Sequence, residues 1–274
     1  MIIIEPFGGL ANRMRVIASG LWLQKKLDCK LVCVWSQSQD LNTEFNFLFD
    51  KIDGLDIIPK SYKYKYLKST KHKRNFKLYA AIFINKIIGV DYYIKEQDYV
   101  NHVWTNEIDI ESVVGKYKNV YIKTCEEFGD NYFEFQKFIP INQLSKKIDE
   151  IQKYFGSNII GLHIRRTDNA ESIKFSPIEL FINTINTEII KNSEVIFFLS
   201  TDDSNVEKAL SSKFGKRIIT QQKEFSRQTT IGMQDAVVDL YCLSKTAYIY
   251  GSYWSSFSDI ASRIGKIDFF VLKE

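Results

Sequence analysis

The stretch GLHIRRTDN, residues 161–169, decides how the rest of the chain is interpreted. It continues an apolar run from Ile159 that is typical of a buried strand in a parallel sheet. Where the run ends, two adjacent arginines, Arg165 and Arg166, are followed by Asp168. Arginine presents a fork of donors that fits phosphate or carboxylate, and open α/β sheets bind ligands at the carboxyl ends of their strands. The stretch therefore indicates an anion site for a phosphorylated ligand, and a structural salt bridge from Asp168 to Arg166 is the alternative.

The composition excludes several classes of protein. The 274 residues carry 45% apolar side chains and a net charge of +4, which is too small to indicate nucleic-acid binding by itself. No stretch reaches the roughly 18 apolar residues of a membrane span, and the N-terminal sequence lacks the basic region of a signal peptide. Cys29, Cys33, Cys125 and Cys242 complete no zinc pattern and are expected to be reduced thiols. We expect a cytoplasmic protein, or one held at the inner face of a membrane.

The first residues predict the opening of a nucleotide-binding type of fold. A strand over residues 1–4 is followed by Gly8 and Gly9, a helical pattern over 11–27 and a second strand over 31–35. Glycines let backbone N–H groups approach a ligand, and a helix N-terminus adds partial positive charge. The sequence is neither GxGxxG nor a P-loop, so a tight structural turn remains the alternative. A short helix over 43–51 and a strand over 56–58 are predicted next.

The segment from Lys60 to Lys77 has a composition of its own. It holds eight Lys or Arg and no acid, with tyrosines between the basic residues, and an apolar helical pattern follows over 78–90. A solvated surface segment is one interpretation. Docking to an anionic membrane surface is the functional interpretation we favour, because a basic patch beside an apolar helix suits it. We expect no nucleic-acid partner.

The second half is regular and predicts a parallel, doubly wound sheet. Strands over 159–165, 194–200, 217–220, 247–250 and 267–272 alternate with four helices, after an amphipathic helix over 141–155. In SPIEL, residues 176–180, the capping-box pattern predicts Ser176 as the N-cap of the first of these four helices. We place a domain boundary at Pro140, which gives domains over 1–140 and 141–274.

Several polar residues follow the predicted strands or begin helices. Ser255 and Ser256 begin a helix, where their hydroxyls can bind a phosphate oxygen or cap the helix. Asp202 and Asp203 could bind a divalent metal, but a structural role is favoured because two adjacent acids do not make a metal site. For Asp239, a carboxylate that could accept two hydrogens from a guanine edge, the simpler interpretation is a solvent-facing helix position. His163 could contact a base or be a core histidine, and spacing does not decide between them.

The motifs as a group resemble a known family. HIRRTDN (163–169), FSPIELF (175–181), FFLSTDD (197–203) and DLYCLSKTAYIYGSYWSSFSDIAS (239–262) resemble, in order, the three motifs of the α1,6-fucosyltransferases and nodulation fucosyltransferases, within the wider O-fucosyltransferase-like superfamily. PFGGLANRMR (6–15) resembles the Gly-rich turn of the same proteins. The resemblance covers about 110 residues of the second half together with that turn, and residues 36–140 are not matched.

The resemblance implies a GT-B-like fold of two Rossmann-like domains, with a ligand cleft between them and the acceptor on the N-terminal side. It implies GDP-fucose as the donor of an inverting glycosyltransferase that requires no metal or other cofactor. Carried over by motif, the guanine would be read by His163 and Asp239, and the β-phosphate held by Arg165 and Ser255. The remaining residues implied in donor binding are Gly8, Gly9, Asn12, Asp202, Asp203 and Ser256, and those implied in activity are Arg166 and Asp168.

The sequence departs from the family in ways that leave alternatives open. Asn169 stands where the family has a lysine, and the loop that carries the family's proposed catalytic base is one residue shorter, so Glu171 is the nearest candidate for the base. A glycosyltransferase with another GDP-sugar donor and a non-catalytic nucleotide-sugar binding protein are therefore kept as alternatives. We expect the acceptor to be a glycan or a lipid-linked glycan.

Overall fold

A computed structural model describes residues 1–59, 90–98, 109–156 and 158–274, and the chain divides into two units. The first unit spans residues 1–46 and 50–138, and the second spans 47–49 and 139–274. Residues 47–49 belong to the second unit because Leu48 accepts a hydrogen bond from the Ile141 N–H at 3.2 Å and Phe49 forms a β-bridge with Pro140. The basic segment 60–77, and nearly all of the helix predicted over 78–90, lie outside the described residues.

A parallel sheet of five strands forms the centre of the first unit, with β1 in the middle. Ile2 pairs with Leu31 on one side and with Val120 on the other, and the side chain of Ile2 is fully buried. The order of the strands across the sheet is β3-β2-β1-β5-β4. The strands are β1 (Ile2–Pro6), β2 (Leu31–Trp35), β3 (Leu55–Pro59), β4 (Tyr92–Ile94) and β5 (Val120–Thr124).

The described helices of the first unit differ in length, and α1 packs against the strands β1 and β2. A Cβ at Gly20 of α1 would lie 3.1 Å from side-chain atoms of Ile4 and Leu31, so a glycine lets the helix approach these strands. The predicted helix over 43–51 is wrong, because the chain makes only a 3₁₀ turn there, Phe45–Phe47, with the Trp35 indole N–H bonded to the Thr43 carbonyl. In the described residues of this unit the helices are α1 (Leu10–Leu27), the single turn α2 (Glu96–Asp98) and α3 (Ile110–Lys116), with a further 3₁₀ turn at Tyr132–Lys137.

The second unit contains the predicted parallel sheet, whose five strands lie in the order β10-β9-β6-β7-β8. Every residue of β6 is buried, as expected for a central strand with both faces covered. His163 of β6 pairs with Ser200 of β7 and with Gly251 of β9. The strands are β6 (Ile159–Ile164), β7 (Ile196–Thr201), β8 (Ile218–Ile219), β9 (Tyr248–Ser252) and β10 (Asp268–Leu272).

The helices of the second unit follow the predicted alternation, with one short addition. Between β6 and β7 the chain forms two helices rather than one. The helices are α4 (Asn142–Gln152), α5 (Ala170–Phe175), α6 (Ile178–Lys191), α7 (Ser204–Phe214), α8 (Thr230–Leu243) and α9 (Ser256–Gly265). Two parallel sheets with helices confirm the α/β class expected from the sequence. Within the described residues, no helix combines the length and the apolar composition that a bilayer span needs.

The prediction that Ser176 caps a helix is wrong. The N-cap of α6 is Pro177, and no side chain caps this helix. The Ser176 hydroxyl instead donates to the Leu272 carbonyl at 2.6 Å and accepts from the Tyr253 N–H at 2.8 Å. Ser176 therefore joins the start of α6 to β10 and to the turn after β9.

Candidate functional site

Three of the predicted segments meet at the carboxyl edge of the second unit's sheet. They follow the neighbouring strands β9, β6 and β7, so parallel pairing brings their first residues together. The Arg165 N–H donates to the Ser252 hydroxyl at 3.0 Å, and the Arg166 N–H donates to the Asp202 carboxylate at 2.7 Å. These two bonds fix the backbone of the loop after β6 to the end of β9 and to the residue that follows β7.

The Arg165 guanidinium lies within a cluster of carboxylates. It is hydrogen-bonded to Asp168 and to Asp202, and 15% of its side chain is exposed. Asp202 also accepts from the Thr167 hydroxyl at 2.7 Å, whereas Asp168, whose side chain is 55% exposed, has a second cation in Arg227 at 3.0 Å. Burial opposes ionisation of Asp168, but Arg165 and Arg227 together bring the pKa of its carboxyl below the usual value. The expected ion pair between Asp168 and Arg166 is wrong, because Asp168 pairs with Arg165 and Arg227 instead. The anion site at Arg165 remains a prediction.

Arg166 has a different environment from Arg165. Its guanidinium donates to the carbonyls of Ser172 at 3.3 Å and Ser176 at 2.6 Å, and the residue is 9% exposed. Burial lowers the pKa of the guanidinium, although Asp202 and Asp203 oppose that change. Arg166 therefore satisfies the terminal carbonyls of α5 and supports the loop after β6.

Asp203 caps a helix. Its carboxylate accepts from the Asn205 N–H at 2.8 Å, which makes it the N-cap of α7. Asp202 faces Arg165 and the loop after β6 instead. The two adjacent acids thus have separate structural partners, in agreement with the role favoured for them from the sequence.

The loop after β6 is bonded to the turn after β9. Asn169 caps α5 by accepting from the Ser172 N–H at 3.0 Å, and its amide donates to the Trp254 carbonyl at 2.9 Å. The family's lysine at this position could not serve as both acceptor and donor. Glu171 lies in the first turn of α5 and is exposed. Its role as a base remains a prediction.

Ser255 and Ser256 begin α9 as predicted. Ser255 is the N-cap residue, with φ −126°, but its side chain makes no capping hydrogen bond. Ser256 is the first residue of the helix. The cap therefore leaves the Ser255 hydroxyl at a helix N-terminus, where a phosphate oxygen would be favoured.

His163 is buried and neutral. Its Nδ1 lies 2.8 Å from the Ser258 hydroxyl, and its ring stacks on Phe257 with centroids 4.9 Å apart. Burial, and then the positive charges of Arg165 and Lys223, lower the pKa of the imidazole to about 3. The other ring nitrogen, Nε2, makes no hydrogen bond to any residue in the described part of the chain, so a ligand could bond to it.

The interpretation of Asp239 as a solvent-facing residue is wrong. Asp239 lies on α8 and is only 4% exposed. Its carboxylate accepts three hydrogen bonds, from the Ser200 hydroxyl at 2.9 Å, the Gln221 amide at 2.5 Å and the Lys223 ammonium at 2.8 Å. The side chains of Lys223 and Asp239 are 5% and 6% exposed, so this is a buried ion pair.

Sequence reasoning missed Lys223 and Gln221. Burial alone would lower the pKa of Lys223, but attraction to Asp239 and to Glu207, whose carboxylate is 3.4 Å away, raises it. Gln221 also donates to the Asp235 carbonyl at 2.8 Å, while its buried Oε1 has no partner among the described residues. Both residues follow β8, so the end of a further strand contributes to the cluster around Asp239.

The Gly-rich turn of the first unit is stabilised by a buried arginine. Gly8 has φ +79°, in the left-handed region that glycine tolerates, and Gly9 is the N-cap of α1. A Cβ at Gly8 would lie 2.9 Å from the amide nitrogen of Asn12. Arg13, which is 1% exposed, donates to the Gly8 carbonyl at 2.8 Å and also bonds the Ser36 carbonyl. The predicted turn is therefore present and rigidly supported.

The four cysteines are free, and two of them, Cys33 and Cys242, are buried. Cys125 lies beside two carboxylates. Its sulfur is 3.2 Å from Glu96 and 3.5 Å from Glu126, and Glu126 pairs with Arg15 at 2.8 Å. Since an arginine already neutralises one of the two acids, this group does not have the character of a metal site.

Comparison with known proteins gives similarity at the level of structure alone. No family model and no curated protein sequence matches the chain. The NodZ α-1,6-fucosyltransferase soaked with GDP-fucose has a TM-score of 0.65 at 16% identity, over 96% of this chain and 92% of that one. An Arabidopsis thaliana FUT1 variant in complex with GDP has a TM-score of 0.65 at 16% identity, over 99% and 69%. POFUT1 in complex with GDP has a TM-score of 0.57 at 10% identity, over 99% and 97%. The chain therefore has the two-domain GT-B-like fold of these proteins.

Proposed function

We propose that the protein is an inverting glycosyltransferase that transfers fucose from GDP-β-L-fucose to a glycan or lipid-linked glycan. One observation carries the proposal: the three resembling motifs converge at one sheet edge, around an arginine that is fixed and still open to solvent. The similarity to fucosyltransferase structures with GDP or GDP-fucose supports it. A cytoplasmic location, with membrane contact through residues 60–77, remains part of the proposal.

The diphosphate of the donor would bind Arg165 by replacing one of its carboxylate partners. The leaving diphosphate would take the place of Asp168, whose side chain is mostly exposed, while Asp202 keeps the guanidinium oriented. Ser255, at the N-terminus of α9, would supply further donors to the same phosphate. The guanine of the donor would contact His163, whose Nε2 makes no hydrogen bond to a described residue. Gly8, Gly9 and Asn12 of the first unit are proposed to face the diphosphate.

In the proposed reaction, negative charge would develop on the leaving diphosphate, beside the hydrogen-bond donors of Arg165 and Ser255. The bond from C1 of fucose to the phosphate oxygen breaks while the acceptor oxygen attacks C1 from the opposite face, so GDP leaves and the configuration inverts. Arg165 and the N-terminus of α9 would stabilise the charge that develops on the diphosphate, which is the task a divalent cation performs in other transferases. Glu171 would accept the proton of the attacking hydroxyl.

Calorimetry with GDP, GDP-fucose and GDP-mannose in the presence of EDTA tests the donor proposal, with donor hydrolysis followed in the same samples. We expect GDP and GDP-fucose to bind without metal, with selective turnover of GDP-fucose.

Arg165→Ala is expected to lower turnover by about 10²–10³-fold, or roughly 3–4 kcal/mol in the barrier, as for other charge-stabilising donors. Arg217→Ala is the matched control, because Arg217 lies before β8, at the opposite edge of the sheet. Equal turnover in wild type and Arg165→Ala would refute the assignment.

Two alternatives are separated by the same experiment. A non-catalytic nucleotide-sugar binding protein is favoured by Asn169 in place of the family's lysine, and it predicts binding of GDP-sugars with no turnover of any donor. A transferase with another GDP-sugar predicts turnover of GDP-mannose instead of GDP-fucose. If no guanine nucleotide binds, Arg165 has a structural role only.

A further inference from the structure

A second arginine, Arg227, lies beside the carboxylates that hold Arg165. Its guanidinium pairs with the Asp168 carboxylate at 3.0 Å and lies 4.0 Å from the Asp202 carboxylate, so each of these acids has both arginines as neighbours. The side chain of Arg227 is 33% exposed, whereas that of Arg165 is 15% exposed. Arg227 is therefore the more accessible of two cations that share the same pair of anions.

The loop that carries Arg227, between β8 and α8, is fixed against the helix that follows it. The Glu224 N–H donates to the Asp235 carboxylate at 2.8 Å. A Cβ at Gly232 would overlap the Ser226 carbonyl, so the loop lies directly against the first turn of α8. These contacts do not involve the guanidinium of Arg227. The loop can therefore hold Arg227 in position when its present anionic partner is exchanged for another.

The charges of this cluster show why one arginine would not suffice for a diphosphate. Asp168 and Asp202 together balance the charges of Arg165 and Arg227. If a diphosphate replaces Asp168 while Asp202 stays, Asp202 still balances Arg165, and that pair by itself offers no net charge to an anion. The departure of Asp168 also releases Arg227, whose charge is then unbalanced. The net attraction for the diphosphate would thus come from Arg227.

We propose that Arg227 is a second binding residue for the β-phosphate of the donor, an inference that rests on the glycosyltransferase function proposed above. The phosphate would take the position of the Asp168 carboxylate and accept hydrogen bonds from both guanidinium groups, whose planar forks fit phosphate oxygens as they fit carboxylate oxygens. In the absence of donor, Asp168 occupies this anion position and keeps the two arginines close together. During transfer, both cations would stabilise the charge that develops on the leaving diphosphate.

Isothermal titration calorimetry of the full chain with GDP and with GMP, which lacks the β-phosphate, tests the proposal. Arg227→Gln should lower the affinity for GDP at least about tenfold, as for the loss of a charged hydrogen bond, and change the affinity for GMP less than about twofold. Arg227→Lys should retain part of the GDP affinity, because it keeps the charge and loses the fork. Arg217→Gln, which removes an arginine bonded only to the Ser193 and Val195 carbonyls among the described residues, is the control and should bind both nucleotides as the wild type does.

The same comparison in an Asp168→Asn background separates direct contact from an effect through Asp168. Asparagine keeps the shape of the side chain and removes the charge that Arg227 pairs with. If Arg227 contacts the phosphate, Arg227→Gln should cause the same loss of GDP affinity in this background. If Arg227 acts only by holding Asp168, the loss should disappear.

Three results would overturn the proposal: an unchanged GDP affinity in Arg227→Gln, equal losses for GDP and GMP, or a loss that disappears in the Asp168→Asn background. Titration with inorganic pyrophosphate keeps this inference apart from the donor assignment. Pyrophosphate binding that depends on Arg227, in a protein that binds no guanine nucleotide, would support the anion site and refute GDP-fucose as the donor. GDP binding that does not depend on Arg227 would refute the role of Arg227 alone, and absence of binding by either compound would refute both.

Discussion

Mild acid should destabilise the second unit through His163. The residue is 5% exposed, its ring stacks on Phe257, and its Nδ1 lies 2.8 Å from the Ser258 hydroxyl. Burial first, and the charges of Arg165 and Lys223 after it, lower the pKa of the imidazole to about 3. In the unfolded chain the same group titrates near 6.5. The unfolded state therefore binds a proton at a pH where the folded state does not.

The sign and the size of the effect follow from proton linkage. Above about pH 6.5 the imidazole is neutral in both states and contributes no pH dependence. Between about pH 6.5 and 3 only the unfolded state is protonated, so the free energy of unfolding falls by about 1.4 kcal/mol per pH unit. From pH 7 to pH 5 the loss due to His163 is about 2 kcal/mol.

Urea unfolding at pH 7 and pH 5, followed by far-UV circular dichroism, measures this loss. His163→Gln is the matched variant, because an amide can still bond to Ser258 but does not titrate. Other groups lose or gain protons equally in both proteins, so the wild type should lose about 2 kcal/mol more than the variant over this interval. Equal losses in the two proteins would refute the assignment of a neutral buried His163.

Two further substitutions test the buried cations. Lys223→Met leaves Asp239 buried without its cation, so the free energy of unfolding should fall by about 3–5 kcal/mol, measured by urea denaturation at pH 7. An unchanged value would show that the pair is not formed. Arg13→Lys removes the planar fork that bonds the carbonyls of Gly8 and Ser36, and we expect a loss of about 2–3 kcal/mol in the unfolding of the first unit, measured in the same way. A loss below about 0.5 kcal/mol would mean that these bonds contribute little.

The convergence of the motifs could be predicted because it depends on local pattern and on one topological rule. The apolar runs of β6, β7 and β9 each end in polar residues, and parallel strands place those ends at one edge. Arg165, Asp202 and Ser252 are in contact for that reason alone. No knowledge of a distant contact was needed, because each strand carries its own site residue at its end.

The burial of Asp239 had a signal in the sequence that was not used. From Ala236 to Leu243 every residue of α8 other than Asp239 is apolar, and Val237, Val238 and Leu240 are fully buried. A helix that is apolar all round is a buried helix, so a carboxylate in its middle must be buried and paired. The identity of the partner could not be predicted, because Lys223 follows the two-residue strand β8, whose position depends on the whole sheet.

The prediction that Ser176 caps a helix was wrong for the opposite reason, because the local sequence signal for a cap was strong. The capping-box pattern is satisfied in the sequence, yet the Ser176 hydroxyl bonds to Leu272 and Tyr253. These partners are distant in the sequence and become available only when β9 and β10 are in place. A hydroxyl makes few bonds, so tertiary partners displaced the local cap.

The geometry of Asp239 limits how a guanine could be read under the proposed function. A carboxylate has about four acceptor positions, and three of them are used by Ser200, Gln221 and Lys223. The two bonds on one oxygen come from Ser200 and Lys223, whereas the other oxygen has only Gln221, so a single acceptor position remains. Acceptance of two guanine hydrogens would require Lys223 to leave, at the cost of breaking a buried ion pair. Asp239 can therefore accept only one further hydrogen in its present arrangement, and Nε2 of His163, which no described residue bonds, is the group left to make the second contact with the guanine.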